Sequence, residues 1–225
     1  MISEHLRAIH QRIARAAEAA GRKPEDVQLL AVSKTKPPEL IREAYAAGQR
    51  AFGENYAQEL RDKAQALADL RGLELHAIGP LQTNKAKYVA QSAAAFHALD
   101  RPGLAEELSK RCLALGRVLP CYLEVNLGGE AQKGGVAPDG LEPLLEASAQ
   151  LAGIRVVGLM CIPPNLDEPE AARPYFARLR ALRDRLASKH PALTGLSMGM
   201  SGDFEVAIAE GATVVRVGSA IFGGR

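Results

Sequence analysis

The residues best able to do chemistry sit at the ends of short apolar runs. Lys34 closes the run LLAVSK and shares side parity with Leu30 and Val32, so in a strand its side chain follows theirs. Lysine is rarely buried unless paired or functional. Drawn inward beside Lys36, its ammonium form would be disfavoured, leaving a neutral amine able to condense with a carbonyl. The same two lysines also fit a plain strand end, with both stems snorkelling and both charges in water. Spacing alone leaves both readings open.

A second group lies in the last third. Ser197-Met-Gly-Met-Ser-Gly202 follows one apolar run and Gly218-Ser-Ala-Ile-Phe-Gly223 follows the next. Gly199 and Gly218 allow close backbone approach, and Ser197 and Ser219 carry hydroxyls, which together suit an anion. Glycine and serine are also ordinary turn residues. Arg216 alternates with apolar neighbours in TVVRVG, so it faces either a barrel mouth or a packed helix, where a structural salt bridge is the common outcome. Glu54 and Asn55 stand where a following helix would be capped. His76 and His97 fall within strand patterns and read as satisfied core histidines. None of the five histidines has metal-ligand spacing.

These residues need a frame. Apolar runs at 27–33, 51–53, 74–78, 94–99, 120–126, 154–160, 195–197 and 213–217 predict eight strands. Amphipathic stretches over 3–20, from Pro37-Pro38 to Gly48, and over 56–70, 84–91, 104–115, 141–151, 168–188 and 204–210 predict helices around and between them. Runs such as LLAV and VVGL suit strands buried on both faces. Eight such alternations favour a closed (β/α)8 TIM barrel over an open doubly wound sheet, and no Gly-x-Gly-x-x-Gly follows the first strand. The second and seventh strands are very short, and an open sheet competes if either fails. In a barrel the chemistry belongs at the C-terminal ends of the strands, where Lys34, Glu54, Asn55, Gly79, Asp100, Asn126, Met160, 197–201 and 216–219 all fall.

Composition narrows the rest. The 225 residues are 47% hydrophobic and 24% charged, as in an ordinary folded domain, with no linker or repeat, so a single domain over 1–225 is expected. A net charge of +2 gives no nucleic-acid footprint. No apolar run suits a membrane span, and the charged N-terminus lacks a signal-peptide core. Cys112, Cys121 and Cys161 are odd in number and suit a reducing cytoplasm.

The segments AVSKTKP (31–37), FGENYAQE (52–59), HAIGPLQTNK (76–85), GLMCIPP (158–164) and LSMGMSGDFEVAIAEGATVVRVGSAIFG (196–223), with the Asn126…Glu130…Lys133…Gly135 spacing, run in collinear order along the whole chain. Together they resemble the YggS/PROSC family of pyridoxal 5′-phosphate homeostasis proteins. The resemblance implies one barrel like the N-terminal domain of alanine racemase, of the type III pyridoxal-phosphate fold. By the same match Lys34 forms a Schiff base with the cofactor, and Ser197, Gly199, Gly218 and Ser219 surround its phosphate. Asn55 lies near the ring, Met160 packs close to it, and Arg216 faces the pyridine nitrogen. Ala57 and Ala77 stand where relatives often carry a larger apolar residue, and Gly128-Gly129 is a looser form of the loop before Glu130.

An arginine at the ring nitrogen gives a weak electron sink, poorly suited to most amino-acid chemistry. Racemases of this fold class can still work with arginine there, but they use a second base, typically a tyrosine from a partner subunit, and an added β-domain, and with the chain ending at Arg225 no such domain is expected. A non-catalytic cytoplasmic carrier or buffer of the cofactor is therefore expected, as a monomer, with pyridoxal-phosphate-requiring apo-enzymes as partners. A pyridoxal-phosphate-dependent amino-acid racemase is the alternative. A Schiff-base aldolase acting on a phosphorylated sugar would need the same lysine and anion groups.

Overall fold

The computed structural model describes residues 1–130 and 133–224, so Arg225, the last residue of the expected domain, lies outside them. The strands are β1 (Gln28–Val32), β2 (Ala51–Glu54), β3 (Glu74–Ala77), β4 (Ala95–Leu99), β5 (Leu119–Glu124), β6 (Ile154–Met160), β7 (Gly195–Ser197) and β8 (Val214–Val217). The α-helices are α1 (Ile2–Ala19), α2 (Pro38–Ala46), α3 (Ala57–Ala66), α4 (Ala86–Ser92), α5 (Pro102–Ala114), α6 (Leu141–Ala149), α7 (Arg173–Ala187), α8 (Phe204–Ala209) and α9 (Ser219–Phe222). All strand neighbours are parallel and the order is β1 to β8 without a crossover. Closure comes from β1 against β8, with Gln28 opposite Val214 and Ala31 opposite Val217. That ladder rules out the open sheet. The two shortest strands hold because each pairs on both sides, β2 with β1 and β3, and β7 with β6 and β8.

Several boundaries differ from the sequence expectation. The stretch expected to be helical from residue 168 begins with a 3-10 turn at Pro169–Ala172 and becomes α-helical at Arg173. Pro174 then falls in the first turn, where its missing N–H leaves no bond unmade. The fifth strand stops at Glu124, and Val125 adds an isolated bridge to Val136 while its N–H still donates to Met160 O at 2.8 Å. Helix α9 is an addition, too short at four residues to produce a periodic signal. Helix α1 buries Ile2, Leu6, Ile9, Ile13 and Ala17, a stripe at helical spacing. It packs on α8, α9 and α2. Arg12 clamps it there, with its Nε and Nη2 each 2.8 Å from the Glu205 carboxylate and its guanidinium 4.6 Å over the Phe204 ring.

Most apolar burial lies between strands and helices, while a small separate cluster fills the barrel: Leu30, Ala51, Ile78 and Val214, with Val32 and Tyr122 against them. Tyr122 fits because its neighbours on the adjoining strands β6 and β7 have no side chain. A Cβ on Gly158 would stand 2.6 Å from Tyr122 Cε1, and one on Gly195 would stand 2.7 Å from it. The ring also stacks on His97, with centroids 4.3 Å apart and planes 19° apart. Gly195→Ala should therefore destabilise the fold by about 1–3 kcal/mol through overpacking. Urea unfolding should show Gly195→Ala/Tyr122→Leu less destabilised than the sum of its two single variants. Simple additivity would remove the aromatic ring as the reason for the glycine.

Candidate functional site

The lysine at the end of β1 sits on a turn whose preceding residue has no polar freedom. Ser33 donates its N–H to Gly53 O at 3.0 Å and its hydroxyl to Glu54 Oε1 at 2.6 Å. Its carbonyl accepts from Lys36 N–H at 3.0 Å and from Lys63 Nζ at 2.7 Å. Lys34 follows directly, partly buried, and Thr35 then takes φ +61°, a conformation that strains a β-branched residue. The Glu59 carboxylate holds that strained residue by accepting the Thr35 N–H at 2.6 Å.

Lys63 ties these pieces together. Its Nζ lies 2.8 Å from Glu54 Oε1 and 2.7 Å from Glu59 Oε1, with the lysine side chain 5% exposed and Glu54 fully buried. Glu54 is thus no helix cap: Tyr56 stands at the start of α3, and Glu54 turns inward to anchor the β1 turn. Burial raises the Glu54 carboxyl above the ordinary range, while the Lys63 charge and the bonds from Lys63 and Ser33 oppose that.

Next to this turn on the rim, where β8 closes on β1, the loops after β7 and β8 interlock. Ser201 Oγ accepts the Gly218 N–H at 3.3 Å and lies 3.2 Å from Ser219 Oγ. At the start of α9 the Ile221 and Phe222 N–H groups donate to Gly218 O, leaving the Ser219 and Ala220 N–H groups without a backbone acceptor among the described residues. Hydroxyls and spare N–H donors gathered at one point suit an anion. Gly199 makes the loop possible: it takes φ +92°, and a Cβ there would stand 2.6 Å from Ala207 Cβ.

Lys34, Asn55, Arg216, Gly218 and Ser219 share the wall of one cavity of about 420 Å³, with Thr35, Gly79, Glu124, Ile162, Ser201 and Gly202. That volume suits a small-molecule ligand. Asn55 reaches it because Gly79 lets the backbones touch; a Cβ on Gly79 would overlap the Asn55 carbonyl oxygen. Arg216 is 4% exposed and is held from behind, with Nη1 2.7 Å from Ser197 O and 2.8 Å from Ser197 Oγ, and Nη2 3.0 Å from Cys161 O. It therefore faces the mouth rather than a helix, and it has no salt bridge among the described residues.

Three expected contact residues stand behind this wall. Ser197 is fully buried at the end of β7, its hydroxyl spent on Arg216 and His97 and thus closed to any ligand. Gly199 shapes the loop from below, and Met160 is buried in the core while Ile162, two residues on, reaches the cavity. Sequence reasoning placed Ser201 and Gly202 in the anion loop without giving either a contact, and it missed Glu124. Ser201 lay within the quoted motif, four residues beyond the serine chosen. Glu124 is 8% exposed on the cavity wall. Burial first, then the charge of Asp100, pushes its carboxyl up to about 7 against the pull of Arg216. Among the described residues no group of His, Cys, Asp and Glu could hold a metal ion.

A lysine amine at the mouth of a closed barrel, with an anion cradle on the neighbouring strands, defines a (β/α)8 protein whose site suits a small anionic ligand with an electrophilic carbon. The family model described as alanine racemase, N-terminal domain, matches residues 5–225. A protein of Aquifex aeolicus described as pyridoxal phosphate homeostasis protein is 51% identical over 99% of this chain and 97% of its own length. One so described from Escherichia coli K12 is 43% identical over 100% of this chain and 97% of its own. The structure of PipY from Synechococcus elongatus with PLP bound superposes with a TM-score of 0.86 at 40% identity, covering 99% of this chain and 100% of that one. The chain belongs to the family of the pyridoxal phosphate homeostasis proteins, within the alanine racemase N-terminal domain fold. A D-threonine aldolase of Filomicrobium marinum, 21% identical with a TM-score of 0.72, shares that fold.

Removing the cation from the Lys34 support leaves Glu54 buried without its counter-charge. Lys63→Met should cost about 3–5 kcal/mol in urea unfolding, much of it recovered in Lys63→Met/Glu54→Gln. No recovery would mean that the pair is not the unit. Glu124 carries a pH signature. Its folded-state pKa is raised, so the native protein retains a proton that the unfolded chain has lost between the ordinary carboxylate range and about 7. This carboxyl's contribution thus falls as pH rises through that window. Glu124→Gln should gain on the wild type by up to about 3 kcal/mol between pH 4.5 and 8 in urea midpoints. A difference independent of pH would refute the assignment.

Proposed function

We propose that the protein binds pyridoxal 5′-phosphate in this cavity and holds it as a Schiff base on Lys34, serving vitamin B6 homeostasis as a carrier or buffer rather than as a catalyst. The observation that carries this reading is the convergence on one cavity wall of the Lys34 amine with the Ser201, Gly218 and Ser219 donors. The donor set fits the group: hydroxyls and N–H groups for a phosphate, and a lysine for an aldehyde. Lys34, Asn55, Arg216, Gly218 and Ser219 make the direct contacts in this reading, joined by Ser201. Met160, Ser197 and Gly199 support them from behind.

When bound, the cofactor supplies an aldehyde that captures amines and a ring that draws electrons from them. Arg216 limits the second property. It is cationic and offers only donors, so it suits an unprotonated ring nitrogen and disfavours the pyridinium that makes the ring a strong sink. Holding the cofactor without turnover follows, in keeping with the description its relatives carry.

The reading extends to a single-domain monomer acting in the cytoplasm, with apo-enzymes that require the cofactor as its recipients. Cys112, Cys121 and Cys161 are buried free thiols, as a reducing compartment allows, with burial first among the causes that push the Cys161 thiol up to about 12. No helix among the described residues is long and apolar enough to cross a membrane.

Adding pyridoxal phosphate to the purified protein should produce an absorption band near the visible edge, and Lys34→Ala should abolish it. An unchanged band in Lys34→Ala would exclude this lysine. Incubating the loaded protein with a panel of L-amino acids should give no D-isomers; their appearance would favour the racemase. Borohydride trapping of a sugar phosphate on a protein that stays colourless with the cofactor would favour the aldolase.

A further inference from the structure

Behind Arg216 a line of polar groups runs through the barrel to its opposite end. Arg216 Nη1 lies 2.8 Å from Ser197 Oγ, Ser197 Oγ lies 2.8 Å from His97 Nδ1, and His97 Nε2 lies 3.0 Å from His76 Nδ1. His76 Nε2 then lies 3.5 Å from Glu74 Oε2 at the start of β3. Ser197 and His97 are fully buried, His76 is 6% exposed, and Ser197 and His97 do not line the cavity.

Donor and acceptor counting fixes the direction of this line. A guanidinium can only donate, so Ser197 Oγ accepts from Arg216. The one hydrogen of that hydroxyl has His97 Nδ1 as its acceptor, so Nδ1 is bare and the proton of His97 sits on Nε2. Nε2–H then donates to His76 Nδ1, and His76 Nε2–H points at the Glu74 carboxylate. A cation at the mouth and an anion at the far end orient every bond the same way, and such chains reinforce one another. Burial first, with the Arg216 charge acting in the same direction, holds the His97 pKa well below its ordinary value, in keeping with a neutral ring.

We infer that Ser197 and His97 are positioning residues for Arg216, which lock its guanidinium through a one-way hydrogen-bond chain ending at Glu74. The bonds to Ser197 O, Ser197 Oγ and Cys161 O use three of the five N–H donors, leaving the Nε hydrogen and one Nη2 hydrogen for the cavity. Without the chain the guanidinium keeps only its two carbonyl contacts and is free to tilt. The effect on a ligand rests on the reading that Arg216 meets the pyridine nitrogen. The chain itself does not.

The test has two arms. In the cofactor-free protein, ¹⁵N–¹H NMR of the histidine rings should show His97 protonated at Nε2 and bare at Nδ1 throughout the neutral range. A proton on Nδ1, or an imidazolium, would overturn the inference even if no cofactor ever binds. Ser197→Ala and His97→Phe, the latter keeping a ring on Tyr122, should still turn yellow with pyridoxal phosphate, but with the band displaced and affinity lowered about tenfold or more. His97→Gln, which restores a donor and an acceptor, should recover part of the band position. Band and affinity identical to wild type in Ser197→Ala would end the positioning role. A wild type that never takes up the cofactor would instead sink the function proposed above and leave the NMR result standing.

Discussion

A buried ammonium organises the reactive side of this barrel. Lys63 is almost wholly removed from water and is satisfied by two carboxylates and a backbone carbonyl, each within 2.8 Å. A charge in that position is tolerable only with its partners in place, so the three groups it gathers cannot drift independently. They are the end of β2, the first turn of α3 and the last fixed residue before Lys34. Strand, helix and turn are fastened at one point, and Lys34 extends from it. The strain at Thr35 is held by the same cluster through Glu59. A flexible side chain on an over-determined backbone suits an amine that must present itself repeatedly to one place.

The adjoining part of the rim, after β7 and β8, is ordered differently. Its order comes from steric fit: Gly199 packed on α8, Gly218 against Val32, and Tyr122 seated over two glycines. Apolar and polar fillings alternate inside the barrel, with the Leu30 cluster on one side and the His76–His97–Ser197 line on the other. A polar line through a core costs stability unless every member is satisfied, and here each nitrogen and hydroxyl has a partner. Arg216 is the beneficiary, since it is a buried cation whose direct partners are neutral oxygens.

Much of this was legible in the residue order. The eight apolar runs marked the eight strands, and Lys34 could be picked out because a charge at strand parity with Leu30 and Val32 must point where they point. The serine of the anion loop was misjudged for a related reason. Ser197 is the last residue of β7 and still obeys strand parity, so it points into the barrel and is consumed there, while Gly199 reverses the chain and hands the cavity to the residues after it. A hydroxyl inside a strand and one just past a left-handed glycine look alike in composition but face different solvents. The partnership of Lys63 with Glu54 was hidden because its members lie on different elements; only the Glu59–Lys63 helical spacing was local. Helix α9 is too short to carry any period at all.

On the proposed reading, the groups around the mouth place different demands on one ligand. The amine after β1 asks for an electrophilic carbon, the β7 and β8 loops ask for an anion, and Arg216 on β8 asks for a neutral acceptor. A molecule meeting only one demand leaves buried donors unpaired, which costs more than the contact it makes returns. A sugar phosphate can meet the first two but has no ring nitrogen to offer Arg216. A planar phosphorylated aldehyde with an unprotonated ring nitrogen answers all three at once. Arginine is the one basic side chain that stays charged even when burial works against it, and burial does lower its pKa here. On the proposed reading, the groups that hold such a ligand are the same ones that keep its ring electronically quiet, so retention and weak catalysis would arise from one constellation rather than from two separate adaptations.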